Sequence, residues 1–169
     1  FVGIACGTGA LVQYTFGLSN KGVLCAFTLK DRKKKVVDSV EGVPSNDSAL
    51  TTKRWEIEKW VDLRLPDATS LSFVNGILAM SGADAKIRVF EASRLEHIAT
   101  LPKPQPSLAD RTKYPSTLLT VLSPDSLRVA AVYSDRSMVI WDARDTKKKP
   151  FRASQSHAGG IFDIQLIPN

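Results

Sequence analysis

One apolar–polar–apolar unit, repeated three times, constrains this chain more than any other feature of its sequence. Its clearest copy is Leu127–Arg144, where two strand-like runs, Val129–Tyr133 and Met138–Trp141, flank Ser134-Asp135-Arg136-Ser137. Branched and aromatic residues on either side of a Ser/Asp-led turn spell a β-hairpin. The two runs barely alternate between apolar and polar, so both faces of the hairpin must be covered by protein. A sheet with one wet face would alternate.

Moving back 51 residues puts Phe90-Glu91 in the place of Trp141-Asp142, and Ala83-Asp84-Ala85-Lys86 in the place of the turn. A further 63 residues back, Phe27 stands for Phe90, with Asn20-Lys21-Gly22 as the turn. Three copies of a unit buried on both faces predict sheets stacked face to face around an axis, as in a β-propeller. The spacings exceed the roughly 40–45 residues of an ordinary blade; two polar inserts make up the difference. The expected fold is all-β: three four-stranded antiparallel blades plus one strand of a fourth, an incomplete propeller.

Turn signals divide the chain. Blade 1 covers about 1–65 and contains Lys30–Lys53, which has little to bury and reads as a disordered insert. Apolar residues at odd positions from Trp55 to Leu65 then give a strand period, with a short helix over Leu50–Trp55 as an alternative. Blade 2 covers about 69–102, and its Asn75-Gly76 is the strongest hairpin signal in the chain. Blade 3 covers about 116–155 and includes Ser123-Pro124-Asp125, a tight turn whose proline fixes φ. Ser123-Pro124 is also a phosphorylation motif, but turn chemistry alone explains it. Residues 161–167 read as the innermost strand of the next blade. The outer faces of the first and last sheets would then lack neighbours, so the rest of a propeller is expected to complete the fold.

Composition narrows the function. No run approaches the eighteen apolar residues of a membrane span. Cys6 and Cys25 lie in strand-like runs and read as buried, reduced thiols, which favours an intracellular home. Gly7-Thr8-Gly9 lacks the third glycine and the helix of a dinucleotide loop. No Cys/His cluster has metal-ligand spacing, and two histidines leave few nucleophile–base pairs. Neither an enzyme nor a cofactor is expected. The net charge is +6, and two lysine runs stand out: Lys33, Lys34 and Lys35, and Lys147, Lys148 and Lys149. Both are candidates for contact with an acidic partner, a solvated loop being the plainer reading. Aromatics are not interleaved with the lysines, which argues against nucleic acid.

Trp141-Asp142 is the dipeptide that names the WD repeat, and other segments extend the likeness. Ala5-Cys6-Gly7-Thr8-Gly9, Gly22-Val23-Leu24-Cys25-Ala26-Phe27, Lys59-Trp60-Val61-Asp62-Leu63, Ile87-Arg88-Val89-Phe90 and Leu101-Pro102-Lys103-Pro104 follow one another in order, then Tyr114-Pro115. In that order they resemble WD-repeat propellers, and more closely the mitogen-activated-protein-kinase-binding and spindle-pole WD-repeat scaffold family. Family members join the Phe27 and Lys59 strands by a short turn, where this chain has its long basic insert. The resemblance implies a non-catalytic protein-interaction scaffold with kinase-cascade or cytoskeletal partners. It also implies a cytoplasmic home, with cytoskeleton, centrosome and spindle pole as finer addresses. A microtubule- or cytoskeleton-associated protein acting through basic loops is the alternative. In such repeats a turn aspartate binds a histidine from the loop before its blade. Asp84 and Asp135 match the aspartate, but no histidine lies in the matching loops, so other donors must serve both carboxylates. His157 matches the histidine of the next blade. Phe90, Trp141 and Asp142 match the strand that closes each repeat, and the two aromatics should be buried between blades.

Overall fold

Each strand pairs with its neighbour in sequence, as a chain of short hairpin turns requires. The computed structural model describes residues 1–8, 13–33, 51–107, 110–145, 147, 149–155 and 158–165. The first sheet holds β1 (Gly3–Thr8), β2 (Gln13–Leu18), β3 (Val23–Lys33) and β4 (Thr51–Asp62), in that order. The second holds β5 (Ala68–Val74), β6 (Ile77–Gly82), β7 (Ile87–Glu91) and β8 (Glu96–Thr100). The third holds β9 (Thr117–Leu122), β10 (Arg128–Tyr133), β11 (Met138–Asp142) and β12 (Arg152–Ser154). All pairings are antiparallel. These are the three expected blades.

Turn chemistry sets the register. Val74 pairs with Ile77 around Asn75 (φ 46°) and Gly76 (φ 78°), the two left-handed residues of a type I′ turn. Gly22 is needed for a second reason. Its φ is +81°, and a Cβ there would stand 2.6 Å from the Leu65 carbonyl oxygen. The first blade's turn thereby lies flat on the connector to the second, where Leu63 N–H donates to the Gly22 carbonyl at 3.0 Å.

Two apolar cores lie between the sheets. Phe16, Leu18 and Leu24 of the first pack with Leu78, Met80 and Phe90 of the second. On the other face of the second sheet, Ala79, Ile87 and Val89 pack with Leu122, Val129, Val139 and Trp141 of the third. The middle sheet is therefore buried on both sides, as its poor alternation demanded.

The innermost strands of the second and third blades are joined by hydroxyls. β5 alternates, with Leu71 and Phe73 packed against the first core and Ser70 and Ser72 turned toward β9. Ser70 Oγ accepts from Thr120 N–H at 3.0 Å, and Ser72 Oγ accepts from Leu122 N–H at 3.0 Å. Thr69 Oγ1 donates to the Thr117 carbonyl at 2.8 Å, and the buried Thr120 hydroxyl donates to Ser81 Oγ at 2.8 Å. The ends are fastened by Ser126 Oγ on the Val74 carbonyl and Asn75 Nδ2 on the Pro124 carbonyl. β9 is an edge strand, so its outward N–H groups would otherwise have no ladder partner.

Four expectations change. β3 and β4 pair as far as Lys33 with Thr51, so both ends of the expected disordered insert are ladder, and Thr51–Trp55 is strand and not helix. Residues 34–50 lie outside those described. A bulge at Ala26/Phe27 divides the odd-numbered apolar set of β4. Val61 faces the second blade, whereas Ile57, paired with Phe27, and Trp55, paired with Leu29, lie on the opposite face beside Trp60. Trp60 is 67% exposed there. Cys6 and Cys25 both lie on that same unpartnered face, as their pairings to Thr15 and Trp60 require; Cys6 is exposed there, whereas Cys25 is buried and burial raises its thiol pKa. Finally, Ile161–Gln165 forms no strand, because no neighbour in the described chain offers it a ladder.

Replacing Ser72 by Ala should leave the Leu122 N–H buried without an acceptor, at a cost of about 1–3 kcal/mol. Equilibrium unfolding of the full-length protein measures this. Unchanged stability would contradict the hydroxyl joint.

Candidate functional site

The β6–β7 and β10–β11 turns carry the two aspartates expected to brace them, and each has found a substitute for histidine. Asp84 Oδ1 accepts from Lys86 N–H at 3.2 Å, and Arg88 grips the carboxylate with both terminal nitrogens, at 3.3 and 2.6 Å. Burial pushes the Asp84 carboxyl upward, but Arg88 and the Lys86 N–H outweigh it and hold the pKa below the ordinary aspartate value. Asp135 works with shorter reach. Its Oδ1 accepts from Ser137 N–H at 3.0 Å and from the Ser137 hydroxyl at 2.6 Å. Asp142, at the end of β11, accepts from Arg144 and Asp145 N–H groups and so shapes the loop toward β12.

Phe90 and Trp141 both face the preceding blade. Phe90 belongs to the first core, and the exposed His97 meets its ring edge-on at 5.3 Å. Trp141 sits in the second core and donates its indole N–H to Tyr133 Oη at 3.2 Å. Tyr133 is fully buried. Burial pushes its phenol up to about 12, against a smaller opposing pull from the Trp141 N–H.

Between the exit of the second blade and the third blade lies a cleft of about 1320 Å³. One wall is Pro102–Ser107 with Tyr114; the other is the Ser134–Ser137 turn and the end of β12. Val139 and Trp141 form the floor. Lys103 stands over the Tyr114 ring at 4.3 Å. Arg136 donates to the Ala158 carbonyl, and Gln155 donates to the Asp135 carbonyl at 2.9 Å, which ties the turn to the chain leaving β12. Ser123 cannot present its hydroxyl to a kinase as it stands. It is nearly buried, accepting from Arg128 N–H and donating to Asp125.

Lys33 ends β3 in the first sheet, whereas Lys147 and Lys149 are exposed in the β11–β12 loop of the third. Lys34, Lys35, Lys148 and His157 lie outside the described residues. Among the described lysines of the two runs, Lys149 lines the cleft. Sequence reasoning missed Lys103 and Tyr114 as cleft residues. The available signal was the spacing of Pro102, Pro104 and Pro106, which keeps that wall extended. No group of three or more metal-ligating side chains converges among the described residues.

Solved structures share this arrangement of sheets. Raptor from Chaetomium thermophilum aligns over 92% of this chain and 12% of its own, with a TM-score of 0.64 and 12% identity. A chain of the mitotic checkpoint complex aligns over 86% of this chain and 34% of its own, with a TM-score of 0.50 and 16% identity. The three sheets are WD-repeat propeller blades. Curated relatives lie along the same line. Mitogen-activated protein kinase-binding protein 1 of Mus musculus is 26% identical over 99% of this chain, and WD repeat-containing protein 62 of Sus scrofa is 27% identical over 99%. The chain spans 11% and 10% of those two relatives. No protein-family model matches it. The chain is thus a distant WD-repeat relative of both proteins.

Two outcomes follow from the Trp141–Tyr133 pair. Trp141→Ala should cost about 3–5 kcal/mol in unfolding free energy, and a cost below about 1 kcal/mol would contradict its place in the core. Because Tyr133 ionises later folded than unfolded, its contribution is complete below pH 10 and is lost as pH rises toward 12. The loss amounts to about 2–3 kcal/mol. Alkaline unfolding curves should show that slope in the wild type and lack it in Tyr133→Phe.

Proposed function

We propose that the chain is part of a non-catalytic scaffold that binds other proteins in kinase-signalling or spindle and centrosome assemblies. The observation that carries this reading is the braced second and third blades, which hold an open cleft between rim segments rather than a closed catalytic pocket. One relative's name, mitogen-activated protein kinase-binding protein 1, supports a kinase partner. A cytoplasmic home with a cytoskeletal or spindle-pole address accompanies that reading. Further blades complete the fold, since Trp55, Ile57 and Trp60 are exposed on the outer face of the first sheet. That face is wide enough to need a neighbour.

The alternative, a cytoskeletal protein that grips acidic surfaces through basic loops, has the exposed Lys147 and Lys149 in its favour. Its weakness is that the described members of the two runs, Lys33 on the one hand and Lys147 and Lys149 on the other, belong to separate sheets. Purified full-length protein should retain a mitogen-activated protein kinase at both low and high salt, because a specific interface buries apolar area that salt does not screen. Microtubule co-sedimentation that vanishes with salt, without kinase binding, would favour the alternative. Absence of both would refute the two readings together.

A further inference from the structure

We infer that the cleft between the second and third blades is a docking groove for an extended acidic segment of a partner protein, an inference that rests on the scaffold reading above. Charge is the first observation. Lys103, Arg136 and Lys149 line the cleft against a single carboxylate, that of Asp135. Asp135 keeps its charge, with its Oδ1 engaged by the Ser137 N–H and hydroxyl, so three cations face one carboxylate. Among the described residues none of the three cations has a carboxylate within ion-pair distance. The described lining therefore has an excess of two positive charges, and carboxylates are its complement.

Shape is the second. At about 1320 Å³ the cleft exceeds small-molecule pockets, which run to roughly 300–1,000 Å³. Its wall of alternating prolines offers few N–H donors, so an occupant cannot add a ladder strand and must be read through its side chains. Val139 and Trp141 give an apolar side chain a floor. Lys103 is held over the Tyr114 ring, which lowers the entropy lost when it meets a carboxylate. The same contact covers the ring that a nucleobase would need for stacking, which disfavours RNA or single-stranded DNA. Both walls belong to this chain.

The test pans a phage-displayed library of random dodecapeptides against the full-length protein. It then measures the best synthetic peptide by fluorescence anisotropy. Lys103→Glu/Lys149→Glu is compared with the wild type, with Lys21→Glu as a control on the exposed first-blade turn. Lys103→Ser/Lys149→Ser serves as a milder second variant should circular dichroism show that the reversal disturbs folding. The inference predicts peptides rich in Asp and Glu around an apolar residue. It also predicts at least about ten-fold weaker binding to the double reversal, some 1.4 kcal/mol, and no change for Lys21→Glu. Peptides without acidic enrichment, equal affinity for the cleft variants, or equally effective displacement by a uridine oligonucleotide would overturn it. Kinase binding that persists beside such a failure would sink the groove alone and leave the scaffold reading intact.

Discussion

The structure depends on how the exposed edges of its innermost strands are closed. Every blade of a propeller begins with an edge strand, and an edge strand carries backbone groups with no ladder to join. Between the second and third blades the answer is a set of hydroxyls. Ser70 and Ser72 on β5 capture the Thr120 and Leu122 N–H groups of β9, and Thr69 and Ser126 cap carbonyls at either end. Each bond is individually modest, on the order of 1 kcal/mol net. Their combined effect is to fix the separation and register of two sheets whose apolar faces alone would be free to slide. The first and second blades meet differently. There Gly3 on β1 lies so close to Leu71 that an added Cβ would stand 2.9 Å from the Leu71 Cβ.

Fixing those inner strands also fixes what lies farther out. The Trp141 side chain fills the space between blades, and Pro102–Ser107 with Tyr114 wall the cleft that it floors. Leu101 is itself anchored in the second core. A cleft framed by such segments can keep its shape when empty. That is the condition for binding without a large ordering cost, and it suits a surface that recognises segments of other proteins.

Much of this fold was legible because hairpins announce themselves locally. Asn75-Gly76 and Ser123-Pro124-Asp125 specify their own φ angles, and the runs beside them specify burial by failing to alternate. The joints were not legible. Ser70 and Ser72 look like solvent-facing residues of an ordinary strand, and nothing in the sequence pairs them with backbone some fifty positions later. The bulge opposite Phe27 was hidden for a related reason: one extra residue reverses the facing of Trp55 and Ile57 without altering their period. Arg88 in place of histidine was partly foreseeable, since the absence of histidine required another donor for Asp84. The groove was the least legible feature, because its two walls are joined only by tertiary packing.

Residue-resolved amide hydrogen exchange on the full-length protein tests the hydroxyl joint most directly. If Ser70 and Ser72 close the edge of β9, the Thr120 and Leu122 amides should be protected as strongly as the Ala130 and Val132 amides of the central strand β10. Exchange of Thr120 and Leu122 at the rate of an open sheet edge, with β10 still protected, would contradict the account.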